Sequence, residues 1–136
     1  MPDLKLVPEI YCSDIVATTR FYTEIFGFNI KYQRPEDEFV YFTLDDVDIM
    51  VESISYEGRH WITANLEKPY GRAVNFQWDV RDIDSLYSRI KNSSPESVYL
   101  ELETKIYQCG NTSKTQKQFI AQDPDGYLFR FCCEKQ

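Results

Sequence analysis

The side chains that could carry chemistry in this chain are one histidine (His60), four cysteines and a surplus of acidic residues. One histidine cannot supply the two imidazoles of a 2-His-1-carboxylate metal centre within one subunit. The cysteines show no Cys-x-x-Cys spacing, which argues against a zinc or redox site and favours free thiols. His60, next to Trp61, could act as a general base, but a lone loop histidine is more often a surface residue.

The composition limits the classes of protein to which the chain can belong. The chain has 136 residues, of which 43% are apolar and 15% aromatic, so we expect one domain over residues 1–136 with a real core. The net charge of -7 repels phosphate backbones, which makes nucleic acid a poor partner and a cationic or neutral ligand a better one.

The chain shows no membrane or export signal. No stretch approaches the roughly 20 unbroken apolar residues that a bilayer crossing needs. The start, Met1-Pro2-Asp3-Leu4, lacks a basic segment followed by an apolar one. We therefore expect a cytoplasmic protein with no membrane partner.

Two segments carry the start and stop residues of helices. The first begins at Ser13-Asp14, which are good N-cap residues, and runs to Gly27 as an amphipathic helix of about four turns. The second begins at Asp82 and stops at residues 92–95, Asn-Ser-Ser-Pro. One of its faces is apolar, with Ile83, Leu86, Tyr87 and Ile90 at helical spacing.

Alternating runs predict strands around each helix. Residues 74–80 alternate apolar and polar, as do the runs near residues 47–52 and 128–133. Residues 4–12, 38–44, 98–107 and 117–122 complete the set, and residues 111–116 are predicted to form a hairpin loop. The order strand, helix, strands therefore occurs twice, in a module at 4–52 and a module at 73–134.

Each predicted strand has a second face, which is turned away from the helices. By alternation this second face is too polar for a core and too aromatic for plain surface, which indicates a binding cleft inside two curled half-sheets. Its acidic residues could form a carboxylate-only metal site, or they could be hydrogen-bonded to neighbouring polar side chains and water. Its members are Val7, Glu9, Tyr11, Phe39, Tyr41, Asp48, Met50, Glu52, Asn75, Gln77, Leu128 and Arg130.

Several short motifs resemble a known family. They are Pro8 to Asp14 leading to Arg20-Phe21-Tyr22 and Phe26-Gly27-Phe28, then residues 71–76, then Asp123-Pro124-Asp125-Gly126-Tyr127-Leu128. Together they resemble the vicinal oxygen chelate superfamily, in its glyoxalase and bleomycin-resistance branch. The resemblance implies an α+β fold of paired βαβββ modules in a curled mixed sheet, usually a homodimer, with a cleft inside the sheet or between subunits.

Enzymes of that superfamily hold a divalent metal with His and Glu ligands at set strand positions. The resemblance places Val7, Met50, Asn75 and Arg130 at those positions in this chain, and none of these is a usual metal ligand. A guanidinium there stays protonated and would repel a divalent ion. The prediction is therefore no metal, no cofactor and no catalytic residue.

The predicted function is that of metal-free, bleomycin-resistance-like members, which neutralise a drug by holding it. A homodimer would sequester a small aromatic or cationic molecule through ring stacking, orienting amides and an acidic field. The alternative is a metal-dependent lyase or dioxygenase of the glyoxalase type whose ligands lie elsewhere. The predicted ligand-binding residues are Tyr32, Phe39, Tyr41, Met50, Glu52, Trp61, Asn75, Gln77, Tyr107 and Arg130.

Overall fold

The computed structural model describes residues 4–134, which form two four-stranded mixed sheets and two α-helices, α1 and α2. The predicted domain extends past these bounds, and residues 1–3 and 135–136 lie outside the described part. In each sheet the first and last strands pair in parallel and the other pairs are antiparallel. The predicted fold class, paired βαβββ modules, is confirmed.

The two sheets have the same strand order. Sheet 1 has the order β1-β4-β3-β2, with β1 at Glu9–Cys12, β2 at Asn29–Arg34, β3 at Phe39–Leu44 and β4 at Val47–Ser53. Sheet 2 has the order β5-β8-β7-β6, with β5 at Asn75–Asp79, β6 at Val98–Cys109, β7 at Thr112–Gln122 and β8 at Leu128–Glu134.

Both helices begin at the predicted caps. Asp14 accepts hydrogen bonds from the Val16 and Ala17 amides ahead of α1 (Ile15–Arg20), and Asp82 accepts from the Ser85 amide ahead of α2 (Ile83–Ser93). No helix within residues 4–134 is long and apolar enough to cross a membrane.

The first helix does not stay α-helical to its predicted end. It continues as a π-helical turn at Phe21–Ile25 before Gly27, whose φ of 78° ends it. The Thr23 hydroxyl donates to the Thr19 carbonyl oxygen at 2.9 Å, so that this acceptor is shared with a side chain. Such back-bonding loosens the α-helical ladder at this turn.

Three strand predictions need correction. Strand β2 was not predicted: Ile30 and Tyr32 alternate with polar residues, but the run has only these two apolar side chains, and every one of its residues is exposed. Strand β7 begins at Thr112, so the predicted loop at 111–116 is mostly strand. Strand β1 begins only at Glu9, because Pro8 before it has no amide hydrogen for the ladder.

The helix-facing sides of the two sheets share one aromatic core. Tyr22, on the π-helical turn, contacts Phe42 of sheet 1 at 5.0 Å between ring centroids and Phe129 of sheet 2 at 5.7 Å. Trp78 of sheet 2 contacts Phe28 at 5.0 Å. Because side chains alternate along a strand, the opposite face of each sheet is turned away from this core.

Side chains of the predicted Asp-Pro-Asp-Gly turn form hydrogen bonds with residues of the first module. The buried Asp125 carboxylate accepts hydrogen bonds from the Ser13 amide at 2.9 Å and the Ser13 hydroxyl at 2.6 Å, and it pairs with Lys68 at 3.3 Å. Asp123 accepts a hydrogen bond from the Tyr22 hydroxyl at 2.7 Å. Burial raises the pKa of Asp123 to about 6.

Candidate functional site

Half of the predicted site residues lie on the outer face of sheet 1. Tyr32 lies opposite Tyr41, which lies opposite Met50, while Phe39 lies opposite Glu52. The Tyr32 and Tyr41 rings are stacked, with centroids 4.9 Å apart and planes 23° apart, and Phe39 is 6.1 Å from Tyr32. We call these five residues the sheet 1 face. They lie together because residues paired across neighbouring strands share one side of a sheet. Tyr32 is exposed, whereas Phe39 and Tyr41 are buried.

Four more predicted residues lie on sheet 2. Asn75 and Gln77 are on β5, and Gln77 lies opposite Arg130 of β8. Arg130 Nη2 donates to Gln77 Oε1 at 2.9 Å. The Tyr107 hydroxyl donates to the Gln118 side-chain oxygen at 3.0 Å. We call Asn75, Gln77, Tyr107 and Arg130 the sheet 2 face.

The structure does not bring these two faces together within one copy of the chain. No hydrogen bond, ion pair or aromatic contact among residues 4–134 joins a residue of one face to a residue of the other. The sequence-based hypothesis treated them as one cleft. The shared core explains the difference, because it uses the helix-facing sides of both sheets and leaves the outer faces apart.

The tenth predicted residue, Trp61, lies in the segment between the sheets and lines a cavity of about 720 Å³. Its amide donates to the Tyr11 hydroxyl at 2.8 Å, and its side chain is 68% exposed. The rings of Tyr70, Phe76 and Tyr127 also line this cavity. A volume of this size falls within the range of small-molecule pockets.

His60 is not the plain surface residue that its position in a loop indicated. Its ring meets the Tyr11 ring edge-on at 5.2 Å, and its Nε2 is buried without a hydrogen-bond partner among the described residues. The pKa of nearby Glu52 is raised by burial and by the Glu9 carboxylate, while His60 opposes this rise. A single histidine carries no sequence signal that would place it beside Tyr11.

Four basic side chains lie over the rings that were predicted to receive a cation. The Nζ atoms of Lys5 and Lys31 are 5.6 and 5.4 Å from the Tyr41 ring centroid. The Arg34 guanidinium is 4.0 Å from the Phe39 centroid, and the Arg59 guanidinium is 4.5 Å from the Trp61 centroid. These ring faces already hold cations of the protein itself. The sequence interpretation missed this feature because it did not predict strand β2, which supplies Lys31 and Arg34.

Asp48 anchors this arrangement. Its carboxylate accepts from the Tyr41 hydroxyl at 2.9 Å and pairs with Lys5 at 3.1 Å and Lys31 at 3.4 Å. Burial alone would raise the pKa of this carboxyl, but its hydrogen bonds outweigh burial and lower the pKa to about 2. The donors are the side chains of Thr43, Lys5, Tyr41 and Lys31.

Asp48→Asn is expected to lower the free energy of unfolding by about 1–2 kcal/mol at neutral pH, because charge-assisted hydrogen bonds are lost. A carboxyl whose pKa is depressed in the folded state stabilises the fold above its unfolded pKa of 3.8 and loses this effect as the pH falls through about 2. Urea titrations should therefore show the difference from wild type shrinking between neutral pH and pH 2.

The matched control is Asp46→Asn, since Asp46 is 88% exposed and pairs with Arg81 at 2.6 Å. An exposed pair contributes less than about 1 kcal/mol, so this variant should change little at any pH. An Asp48→Asn difference that stays constant across the range would contradict the assigned role of Asp48.

The residues that the resemblance places at metal positions do not fit a divalent ion. Met50 offers a thioether and Asn75 a neutral amide, and Arg130 brings a positive charge to the sheet 2 face. No group of three or more His, Cys, Asp or Glu side chains within residues 4–134 is arranged to hold a metal. The carboxylate-only alternative is weakened too, because Asp48 already pairs with Lys5 and Lys31.

Several solved structures are similar to this chain. A glyoxalase/bleomycin resistance protein/dioxygenase superfamily member from Vibrio splendidus 12B01 is 50% identical, with 93% of this chain and 95% of that chain covered, and a TM-score of 0.46. TioX from Micromonospora sp. ML1 is 15% identical, with 98% and 100% covered and a TM-score of 0.75. A lactoylglutathione lyase from Agrobacterium tumefaciens is 20% identical, with 97% and 94% covered and a TM-score of 0.58.

TioX and the lactoylglutathione lyase share the fold with this chain at low sequence identity. No curated protein matches the chain significantly. A family model described as the Glyoxalase/Bleomycin resistance protein/Dioxygenase superfamily matches residues 6–131. This match covers nearly the whole chain and confirms the resemblance seen in the motifs. The chain belongs to the Glyoxalase/Bleomycin resistance protein/Dioxygenase superfamily.

Proposed function

We propose that this protein is a bleomycin-resistance-like binding protein, which sequesters a small aromatic molecule without a metal and without covalent chemistry. The observation that carries the proposal is the stacked pair of Tyr32 and Tyr41 on the sheet 1 face, with the Tyr32 side chain 47% exposed. A large aromatic side chain left exposed beside a second ring provides a surface on which a flat ligand can stack.

The geometry of the pair supports this role. Tyr41 is buried, and its hydroxyl is fixed by Asp48 at 2.9 Å, so its ring orientation is set before a ligand arrives. Tyr32 needs only to keep or adjust its stacking on this fixed ring. Preorganisation of this kind reduces the entropy lost on binding.

We further propose that residues 4–52 and 73–134 act as two modules of one domain and that the protein works as a cytoplasmic homodimer. A second copy could set the sheet 2 face of one subunit against the sheet 1 face of the other, which a single copy does not do. In such a dimer the amides of Asn75 and Gln77 and the hydroxyl of Tyr107 would orient a ligand that stacks on Tyr32.

The charge arrangement favours an aromatic ligand over a simple cation. Lys5 and Lys31 already lie near the Tyr41 ring, and Arg34 lies over Phe39. A cationic ligand would have to displace these groups, whereas a neutral or anionic ring would not. We therefore narrow the ligand from an aromatic or cationic molecule to an aromatic one.

Tyr32→Ala is expected to weaken binding by about tenfold, because a stacking partner is worth about 0.5–1.5 kcal/mol beyond its buried area. The measurement is titration calorimetry with the neutral aromatic probe 2-naphthamide and, separately, with bleomycin, with and without bound copper, on wild type and variant. The control variant is Tyr99→Ala, which removes a 65% exposed tyrosine from β6 outside both faces. No heat with either form would exclude bleomycin as the ligand.

The competing hypothesis of a metal-dependent lyase or dioxygenase has its own test. Native mass spectrometry of protein purified without chelator reports the oligomer, any metal and any retained small molecule together. A dimer with a small molecule and no metal is expected. Stoichiometric zinc, nickel, iron or manganese would contradict the proposed function.

A further inference from the structure

Arg130, on the sheet 2 face, has no acidic partner in the described part of the chain. None of the ion pairs among residues 4–134 includes it, whereas Arg34 pairs with Asp37 and Arg81 pairs with Asp45 and Asp46. Its one side-chain hydrogen bond in the described residues goes from Nη2 to the Gln77 oxygen at 2.9 Å. Its Nε is buried and has no acceptor. Within the described chain, therefore, the buried Nε hydrogen has no acceptor, and the Nη hydrogens that do not contact Gln77 are open to a ligand or water.

The two residues paired with Arg130 carry no charge. Gln77 is a neutral amide, and the cross-strand neighbour on β7 is the apolar Ile120. Two acidic residues lie further along this face, Asp79 on β5 and Glu103 on β6, and among the described residues neither forms an ion pair with Arg130. Glu103 accepts a hydrogen bond from the Gln118 amide at 2.9 Å. Since Arg stays charged in proteins, the acceptor that best matches its free N–H donors is an anionic oxygen.

Positive side chains also lie beside Tyr41 of the sheet 1 face. Lys5 and Lys31 share one carboxylate, that of Asp48, so this cluster keeps one positive charge without a counter-charge of its own. Both ammonium groups lie beside the Tyr41 ring, where the proposed aromatic ligand would stack. A ligand that carries an anionic group would meet positive charge beside Tyr41 and at Arg130, whereas Glu52 lies further along the sheet 1 face, opposite Phe39.

We propose that the sequestered molecule is an aromatic carboxylate and that Arg130 binds its carboxylate group. Arg and carboxylate match in geometry, because two parallel N–H donors of the guanidinium face the two carboxylate oxygens. The proposal rests on the proposed function and adds the class of ligand.

The test uses two probes of the same shape, 2-naphthoate and the neutral 2-naphthamide, in calorimetric titrations of the full chain. Wild type should bind naphthoate about tenfold or more tightly than naphthamide, as a charge-assisted contact implies. Arg130→Gln should remove most of this preference by weakening naphthoate binding. Arg130→Lys should restore part of it, because the charge returns without the paired donors.

Arg81→Gln serves as the control, because Arg81 is exposed and pairs with Asp45 and Asp46 outside both faces. Its naphthoate preference should equal that of wild type. Equal binding of the two probes to wild type would overturn the carboxylate inference while the binding function stands. Binding of neither probe would count against the binding function and this inference together. Thermal melts of each Arg130 variant establish that the chain remains folded.

Discussion

Phe129→Ala is expected to lower the free energy of unfolding by about 3–5 kcal/mol, the range for removing a large aromatic side chain from a packed core. Phe129 is 0% exposed and lies on β8, a central strand of sheet 2. Its ring meets Tyr22 of the π-helical turn at 5.7 Å, Phe26 just after this turn at 5.3 Å, and Trp78 of β5 at 5.9 Å. Its loss would therefore leave a cavity where the two halves of the protein join.

Urea denaturation followed by fluorescence and circular dichroism measures this effect. Ile106→Ala is the control, because Ile106 is 68% exposed near the hairpin between β6 and β7 and should change stability by less than about 0.5 kcal/mol. A shared core also requires wild type to unfold in one transition seen by both probes. Two separate transitions, or a loss below about 1 kcal/mol for Phe129→Ala, would disprove the joint core.

Gly126→Ala is expected to cost about 2–5 kcal/mol, from backbone strain and from steric overlap together. Gly126 has a φ of 112°, where side chains are rarely tolerated. A Cβ atom there would lie 2.5 Å from Pro69 Cβ and 2.6 Å from Pro69 Cα. Pro69 belongs to the segment between the two sheets, so the added methyl group would push this segment away from the turn.

Gly110→Ala is a matched control within the same chain. Gly110 also has a positive φ, 63°, but a Cβ added there meets no atom within 4 Å. This variant should show only the conformational cost of about 1–2 kcal/mol. Chemical denaturation of both variants separates the two contributions, and equal losses would show that the contact with Pro69 is unimportant.

Local features of the fold were predictable where the signal lies within a few residues. Asp14 and Asp82 cap their helices through backbone amides two or three positions ahead, so the sequence contains both partners. Alternation predicted β4 and β8 because one side of each is buried. Strand β2 escaped prediction because it is exposed on both sides and owes its conformation to pairing with β3.

The sheet face on which the candidate residues lie was predictable, and the arrangement of the two faces was less so. Strand alternation placed Tyr41, Met50 and Gln77 on the faces opposite the core, since the direction of a side chain follows from its position along the strand. The charges beside these rings were missed. Lys31 reaches Tyr41 from a neighbouring strand whose register includes a bulge, and no local pattern encodes such a register.

The amino-acid sequence by itself determined the two repeated modules, their caps and the side on which each strand residue lies, because these depend on local geometry and on separating apolar from polar surface. Only the tertiary structure decided how the two faces are disposed, which charges neighbour the rings, and that Arg130 lacks an acidic partner in the described chain. These features depend on contacts between residues far apart in the chain, whose relative positions are set by the packing of the shared core.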